Sequence, residues 1–301
     1  MPQVPFGGQS MVGELKEVLI KKPDEVFANA DPELWHYTHS IDLEKAQQEH
    51  QQIVDALTQN GVNVHYHYEN MNSFSDALFV HDPVLITDAG AVLLRMGKTL
   101  RQGEETFMKQ KLEELQIPIL AQIEEPGLVE CGDLLWLDDR TLLVGRGYRT
   151  NLAGILQLRN ILQRKAISVL PFDLPYFHGQ EACLHLQSLI SLVDVNLAVA
   201  YLPLMPAVLV DLLKKRSFEI IETSEEEFLN MGTNILAIKP RVVLMLDCFS
   251  HLKKRLEDRD IQVFTYNGDN LSCAEGGPTC LTRPLKRENV RDKYGDGSIY
   301  G

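Results

Sequence analysis

One arrangement recurs along this chain and limits its fold more than any other feature: two short apolar runs joined by a polar turn, then a helix-like stretch, then a further apolar run. Its first copy reads ALFV, the turn His81-Asp82-Pro83, VLIT, the turn Asp88-Ala89-Gly90 and AVLLR, followed by helical patterning over 104–115 and the run IPILAQI. The second is LLWL, Asp138-Asp139-Arg140, TLLVG, a helix over 152–162 and ISVLPF. The third is LISLV, Asp194-Val195-Asn196, LAVAYL, a helix over 207–215 and FEIIE, and the fourth is NILAI, Lys239-Pro240-Arg241, VVLML, a helix over 250–257 and IQVFTY. What remains is GELKEVLIKKP near the start, the helix-like DLEKAQQEHQQIVDALTQN, the strand VNVHYHY and GGPTCLTRPL near the end. These four pieces make a fifth unit only if the two ends of the chain meet.

A unit that cannot bury its own apolar face must stack on its neighbours, and a ring closed by pairing N- and C-terminal strands leaves no sheet edge open. The expected architecture is therefore an α/β fold, a five-bladed pseudo-symmetric β/α propeller closed by its terminal segments. The competing architecture is a doubly wound parallel sheet. No low-complexity stretch or Gly/Ser linker divides the 301 residues, so residues 1–301 are read as a single domain.

Composition narrows the function. A formal net charge of −13 disfavours nucleic acid or an anionic membrane as the main partner, since both need clustered Lys and Arg; a small cationic substrate suits it better. The most apolar stretch, 196–213, is broken by Pro203 and Pro206 and reads as a core strand followed by a helix, not a membrane span. The N-terminus shows no signal or transit pattern, and five cysteines with no CxxC pair fit neither a disulfide framework nor a zinc site. Cytoplasmic residence is expected, with Cys183 and Cys248 read as inert buried thiols. A homo-oligomer is left open.

The residue opening each unit carries the chemistry. Asp76, Glu130, His185, Asn234 and Cys280 follow one another at 54, 55, 49 and 46 residues, the period of the repeat itself, so they are expected to converge. Carboxylates accept the planar N–H groups of a guanidinium in a forked geometry, and Asp76, Asp82 and Glu130 are the candidates to hold one. Its central carbon is a poor electrophile that calls for a strong nucleophile, and a Cys280 thiolate paired with a His185 imidazolium meets that need. His185 then protonates the departing amine and later takes a proton from water. Arg95 and Arg149 are candidates for a substrate carboxylate, which wants a fork of donors.

Each residue also has a plain structural reading. Asp76 and Asp82 suit turns, Glu130 could cap a strand entry, His185 sits among leucines as a core histidine would, Cys280 could be inert, and either arginine could make a surface ion pair. His65 and His67 share a strand face and read as polar surface, because no third ligand follows at a metal-site spacing. No nucleotide-binding glycine motif is present. Residues 26–41, with Trp35, Tyr37 and His39, lack periodicity and are read as a lid.

The segments SDALFVHDPVLITDAGAVLLRMGKTLRQGEE, GLVECGDLLWLDDRTLLVGRGYRTN, CLHLQSLISLVD and EGGPTCLTRPL appear in the order and spacing of a known family. Through them the chain resembles the guanidine-modifying enzymes of the pentein superfamily, most closely dimethylarginine dimethylaminohydrolase and related bacterial proteins. The resemblance implies Cys280 as nucleophile, His185 as acid and base, and Glu130 as the carboxylate supporting histidine and substrate. It implies Asp76 and Asp82 near the substrate, Arg95 and Arg149 on its carboxylate, and no metal or organic cofactor.

Three departures stand out. Cys131 replaces the first glycine of the family's acidic-Gly-Gly-Asp motif, His81 makes His-Asp-Pro look like the Arg-Asp-Pro of arginine deiminases, and Gln187 stands where deiminases and amidinotransferases carry an acid. The last change favours a methylated guanidinium, which has fewer N–H donors to satisfy. The expected reaction is hydrolysis of Nω-methylated L-arginine to L-citrulline and methylamine or dimethylamine. The alternatives are arginine deiminase-like or amidinotransferase activity on another guanidino compound, and a non-catalytic propeller that binds a macromolecule.

Overall fold

The computed structural model describes residues 6–290. Fifteen strands form five separate three-stranded sheets, and in each an antiparallel pair is extended by a third, parallel strand. The first half of the chain supplies β1 (Leu15–Ile20), β2 (Asn63–Tyr66), β3 (Val84–Thr87), β4 (Gly90–Leu93), β5 (Ile119–Gln122), β6 (Leu134–Asp138), β7 (Thr141–Arg146) and β8 (Ser168–Asp173). The second half supplies β9 (Ile190–Asp194), β10 (Leu197–Ala200), β11 (Glu219–Glu222), β12 (Leu236–Lys239), β13 (Val242–Leu246), β14 (Gln262–Tyr266) and β15 (Thr282–Arg287).

Four sheets are contiguous in sequence: β3-β4-β5, β6-β7-β8, β9-β10-β11 and β12-β13-β14. The fifth, β15-β1-β2, joins the two ends of the described chain, with Val18 opposite Pro284 and Ile20 opposite Thr282 in the antiparallel pair. Five three-stranded mixed sheets of one topology replace the competing single doubly wound sheet.

The connection between the antiparallel pair and the parallel strand must cross over, and in every unit a helix makes that crossing. Their apolar stripes are narrow. Met108 and Leu112 are buried on helix Glu104–Glu114, Leu209 and Leu213 on Ala207–Lys215, and Leu252 and Leu256 on Ser250–Glu257, each pair one turn apart. Helix Leu152–Leu162 buries Ile155, Leu158 and Leu162 and starts at Asn151, whose side chain accepts the Gly154 N–H. Helix Leu43–Gln59 serves the terminal unit and is capped in the same way by Asp42.

The middle strands β4, β10 and β13 are buried along their whole length, which explains their unbroken apolar runs; the parallel strands β5 and β11 are partly exposed and mix polar with apolar residues. The stretch 196–213 divides into β10 and the start of a helix, as expected. No helix of the described residues is long and apolar enough to cross a membrane.

One strand expectation fails. ALFV is not extended: Ser75–Leu78 is a 3-10 turn, and the antiparallel pair of that unit is β3 with β4. The run lies in the approach to the sheet, where its apolar side chains are buried without joining a ladder.

Candidate active site

The five residues singled out by their period do not open the strands but stand just ahead of them. Asp76 lies on the 3-10 turn before β3, Glu130 precedes the turn Cys131–Asp133 that leads into β6, and His185 precedes the single turn Leu186–Leu189 before β9. Asn234 and Cys280 each sit two residues before β12 and β15. All five line one cavity of about 470 Å³.

Glu130 is its best connected carboxylate. Oε2 lies 2.7 Å from His185 Nε2, while Oε1 accepts the backbone N–H groups of Gly97 at 2.9 Å and Lys98 at 2.8 Å. Burial alone would raise its pKa, but the contact with His185 holds it below the ordinary value. His185 answers in the opposite sense. Burial would lower its pKa, yet the neighbouring Cys183 and Glu130 hold it well above the ordinary value, which favours the imidazolium. Glycine is required beside it: a Cβ on Gly132 would lie 2.4 Å from His185 Nδ1.

Asp76 and Asp82 arrive already paired. Asp76 receives the Tyr37 hydroxyl at 2.8 Å and the Lys98 ammonium at 2.6 Å. Asp82 receives Arg101 Nη1 at 2.7 Å and the Gly132 N–H at 3.0 Å. Against the raising effect of burial, Arg101 brings Asp82 down to about 2. Both carboxylates face the cavity as members of ion pairs, not as open acceptors.

Cys280 differs. Its sulfur accepts the Asn234 side-chain N–H at 3.1 Å, and burial, reinforced by Asp82, pushes its thiol up to about 11. The sulfur in contact with His185 Nδ1 belongs to Cys183, at 3.6 Å. The expected Cys280 thiolate–His185 imidazolium pair is therefore not the resting arrangement. Cys183 and Cys248 are not inert core thiols either. Cys183 is half-buried against His185, Cys248 is exposed, and both line the cavity along with Cys273.

The two predicted arginines part company. Arg149 lines the cavity with its Nη1 3.8 Å from Glu130, its Nη2 on the Glu181 carbonyl at 3.3 Å, and its buried Nε without a partner. Arg95 is not among the cavity residues; its guanidinium lies 3.8 Å from the exposed Glu125. Leu94 and Met96 on either side are buried, while Arg95, beyond the end of β4, is partly exposed.

The cationic residues missed in the sequence are Lys98 and Arg101, both in the short stretch between β4 and the following helix. Their signal was faint. Arg101 stands three residues before Glu104, and the two form a fully buried pair at 2.8 Å, but nothing in the sequence marks that pair as buried. The segment 26–41 folds into the one-turn helices Glu25–Ala28 and Pro32–Trp35, and Trp35, His36 and Thr38 border the cavity. Its Tyr37 is the partner of Asp76.

His65 meets Glu17 at 2.7 Å, and His67 is buried with Nδ1 accepting the Tyr68 N–H. Among the described residues no group of three or more His, Cys, Asp or Glu side chains is placed to hold a metal.

The fold and this polar arrangement define an α/β enzyme of the guanidine-modifying, pentein class, a hydrolase of the dimethylarginine dimethylaminohydrolase and arginine deiminase kind. Residues 21–285 match the family described as N,N dimethylarginine dimethylhydrolase, eukaryotic, and the chain belongs to that family. Among curated relatives, the uncharacterized protein YkgA of Bacillus subtilis is 25% identical over 278 residues, spanning 91% of this chain and 93% of its own. The N(G),N(G)-dimethylarginine dimethylaminohydrolase of Pseudomonas aeruginosa is 26% identical over 80% of this chain and 89% of its own.

An arginine deiminase of Listeria welshimeri is also 26% identical, but the match spans only 62% of that protein. The solved Pseudomonas aeruginosa enzyme complexed with citrulline superposes with a TM-score of 0.76 at 22% identity, covering 90% of this chain and all of its own. The N-terminal domain of ArgZ, a cyanobacterial arginine dihydrolase, gives 0.78 at 19% identity, covering 90% of this chain and 98% of that domain. At these identities the superpositions speak for the fold.

Proposed function

We propose that the chain hydrolyses an Nω-methylated L-arginine to L-citrulline and methylamine or dimethylamine through a covalent adduct on Cys280. The observation that carries this reading is the meeting of Cys280, His185 and Glu130 in one cavity, with the imidazolium seated on Glu130 at 2.7 Å. The five sheets are read as blades of a closed ring, supported by the pairing of β1 with β15.

The resting thiol, up at about 11, is a poor nucleophile at neutral pH, and binding of a guanidinium beside it supplies the positive charge that favours the thiolate, the thiol proton passing to solvent and being regained when product leaves. The sulfur attacks the guanidinium carbon, and as the C–N bond breaks His185 gives its proton to the departing amine. Nδ1, the nitrogen not engaged by Glu130, is the one assigned that transfer. Neutral His185 then takes a proton from the water that attacks the thiouronium carbon, the C–S bond breaks, and citrulline and the Cys280 thiolate result. Arg149 is the residue assigned to the substrate carboxylate, because its Nε has no protein partner.

Of the three departures from the family pattern, Gln187 is the one that supports a methylated substrate. The Gln187 amide nitrogen is engaged by His81 Nε2 at 3.1 Å and by the carbonyls of Cys131 and Leu134 at 3.0 and 2.6 Å. Burial and Arg283 bring His81 down to about 3, so it is neutral, and neither residue offers a carboxylate to an unsubstituted guanidinium nitrogen.

The test is amine and citrulline release from arginine, monomethylarginine, asymmetric dimethylarginine and agmatine, with Cys280→Ser alongside. Methylamine or dimethylamine release, lost in the variant, is expected. Ammonia from arginine would replace this reading with deimination, and release that survives in Cys280→Ser would remove Cys280 from the chemistry.

A further inference from the structure

A smaller space of about 30 Å³ shares His81 with the site. Two guanidinium groups, Arg283 and Arg287, help to line it, and no aspartate or glutamate does. Both arginines are more than nine-tenths buried. Their donors go to neutral acceptors: Arg283 Nη1 to the carbonyls of His81 and Val84 and to Cys131 Sγ, Arg287 to the carbonyls of Gly13 and Ala237. Among the described residues no carboxylate forms an ion pair with either.

Two like charges held together out of water and away from any counter-charge are costly, because carbonyl dipoles solvate a cation without neutralising it. The strain is visible in Arg287, whose guanidinium is brought down to about 9 by burial and by Arg283. An arginine does not escape by losing its proton at neutral pH.

The other groups on the wall do not supply the charge. His81 is neutral and its two nitrogens are spent on the Thr282 carbonyl and on Gln187. The Ser191 hydroxyl donates to the Thr233 carbonyl, and Ser10 Oγ accepts the Val12 and Gly13 N–H groups. One group stands apart. Thr279 lines the same space, is 5% exposed, and its hydroxyl has no hydrogen-bond partner among the described residues. A buried hydroxyl left unmatched beside two buried cations marks a place built for an acceptor.

We propose that this space binds one small monovalent anion, chloride under ordinary conditions, between Arg283 and Arg287 with the Thr279 hydroxyl donating to it. The volume suits a single monoatomic ion. A water molecule would satisfy the hydroxyl but leave both charges unbalanced. Because Thr279 immediately precedes Cys280, the ion would stabilise the turn that presents the sulfur.

Crystals of the full chain soaked in sodium bromide test the site directly. An anomalous peak in this space, between the two guanidinium groups and the Thr279 hydroxyl, is expected. In solution, the melting midpoint is expected to rise by about 2–4 °C from sodium gluconate to sodium chloride at constant ionic strength, and Thr279→Val to need about tenfold more chloride for the same rise. No anomalous peak, or equal melting in chloride and gluconate, would overturn the proposal. A bromide peak without any halide effect on melting would also overturn it, as an ion present only at soaking concentration.

Discussion

The two walls of the active cavity are built on different plans. On one, Glu130, His185, Asp76, Lys98, Asp82 and Arg101 form a closed polar network, and Lys98 joins its parts by offering its backbone N–H to Glu130 and its ammonium to Asp76. On the other, Cys280 has the Asn234 amide as its side-chain partner and is held as a thiol by burial. The first wall is fixed before substrate arrives and needs no reorganisation to stabilise charge. An uncharged resting thiol is shielded from alkylation and oxidation, and in the proposed reaction the guanidinium that is attacked is also what arms it.

The comparison breaks most decisively at the sulfur. Cys280→Ser should lower turnover by at least about 10⁴-fold while leaving circular dichroism unchanged, because the hydroxyl is a far weaker nucleophile. Amine release within about tenfold of wild type would mean that the second wall is not where bonds are made.

On the wired wall, Glu130→Gln should cost about 10²–10³-fold in kcat/KM and move the alkaline limb of the pH profile downward. The sign follows from the carboxylate's role: it raises the His185 pKa, so its loss releases the imidazolium proton at lower pH. An unmoved alkaline limb would assign that limb to another group.

A smaller effect sharpens the contrast at rest. Iodoacetamide labelling of the Cys280 peptide, followed by mass spectrometry, should accelerate about tenfold per pH unit from 7 to 10 without ligand, as for a thiol titrating near 11. Asn234→Ala should slow it about threefold, since the amide N–H favours the thiolate and its removal raises the pKa further. A pH-independent rate would show that the thiolate is already present.

Distant from both walls, His67→Gln should leave activity unchanged but alter acid stability. Burial, with Lys111 and Lys21 nearby, holds His67 at about 3, below its unfolded value near 6.5. The folded form therefore resists a proton that the unfolded chain accepts, and stability present above about pH 6.5 is lost as pH falls toward 3. The variant should recover on the order of 3 kcal/mol at pH 4 in urea titrations, if the glutamine fits the same space.

The repeat was legible because every unit repeats the same periodicity, and the helices 207–215 and 250–257 appear with the bounds read from the sequence. The five converging residues were legible for the same reason. What the sequence hid were the ion pairs. Nothing in MGKTLRQGEE distinguishes a buried Arg101 from a surface one, since its carboxylate partners come from two separate elements. Arg95 reads as a candidate because it closes the apolar run AVLLR, yet it lies beyond the end of β4 and outside the cavity lining. Cys183 escaped notice because a thiol beside a leucine looks like core until the fold brings it against His185.

The pairing of β1 with β15 has a consequence for biosynthesis. Strand β1 is made well before its antiparallel partner, 267 residues separating Leu15 from Thr282. Four sheets can assemble from neighbouring segments as they emerge, while the fifth must wait. Cys280 stands two residues before that late strand, so docking of the strand and arrival of the sulfur at the cavity are one event, and a chain cut short of it lacks the nucleophile proposed above.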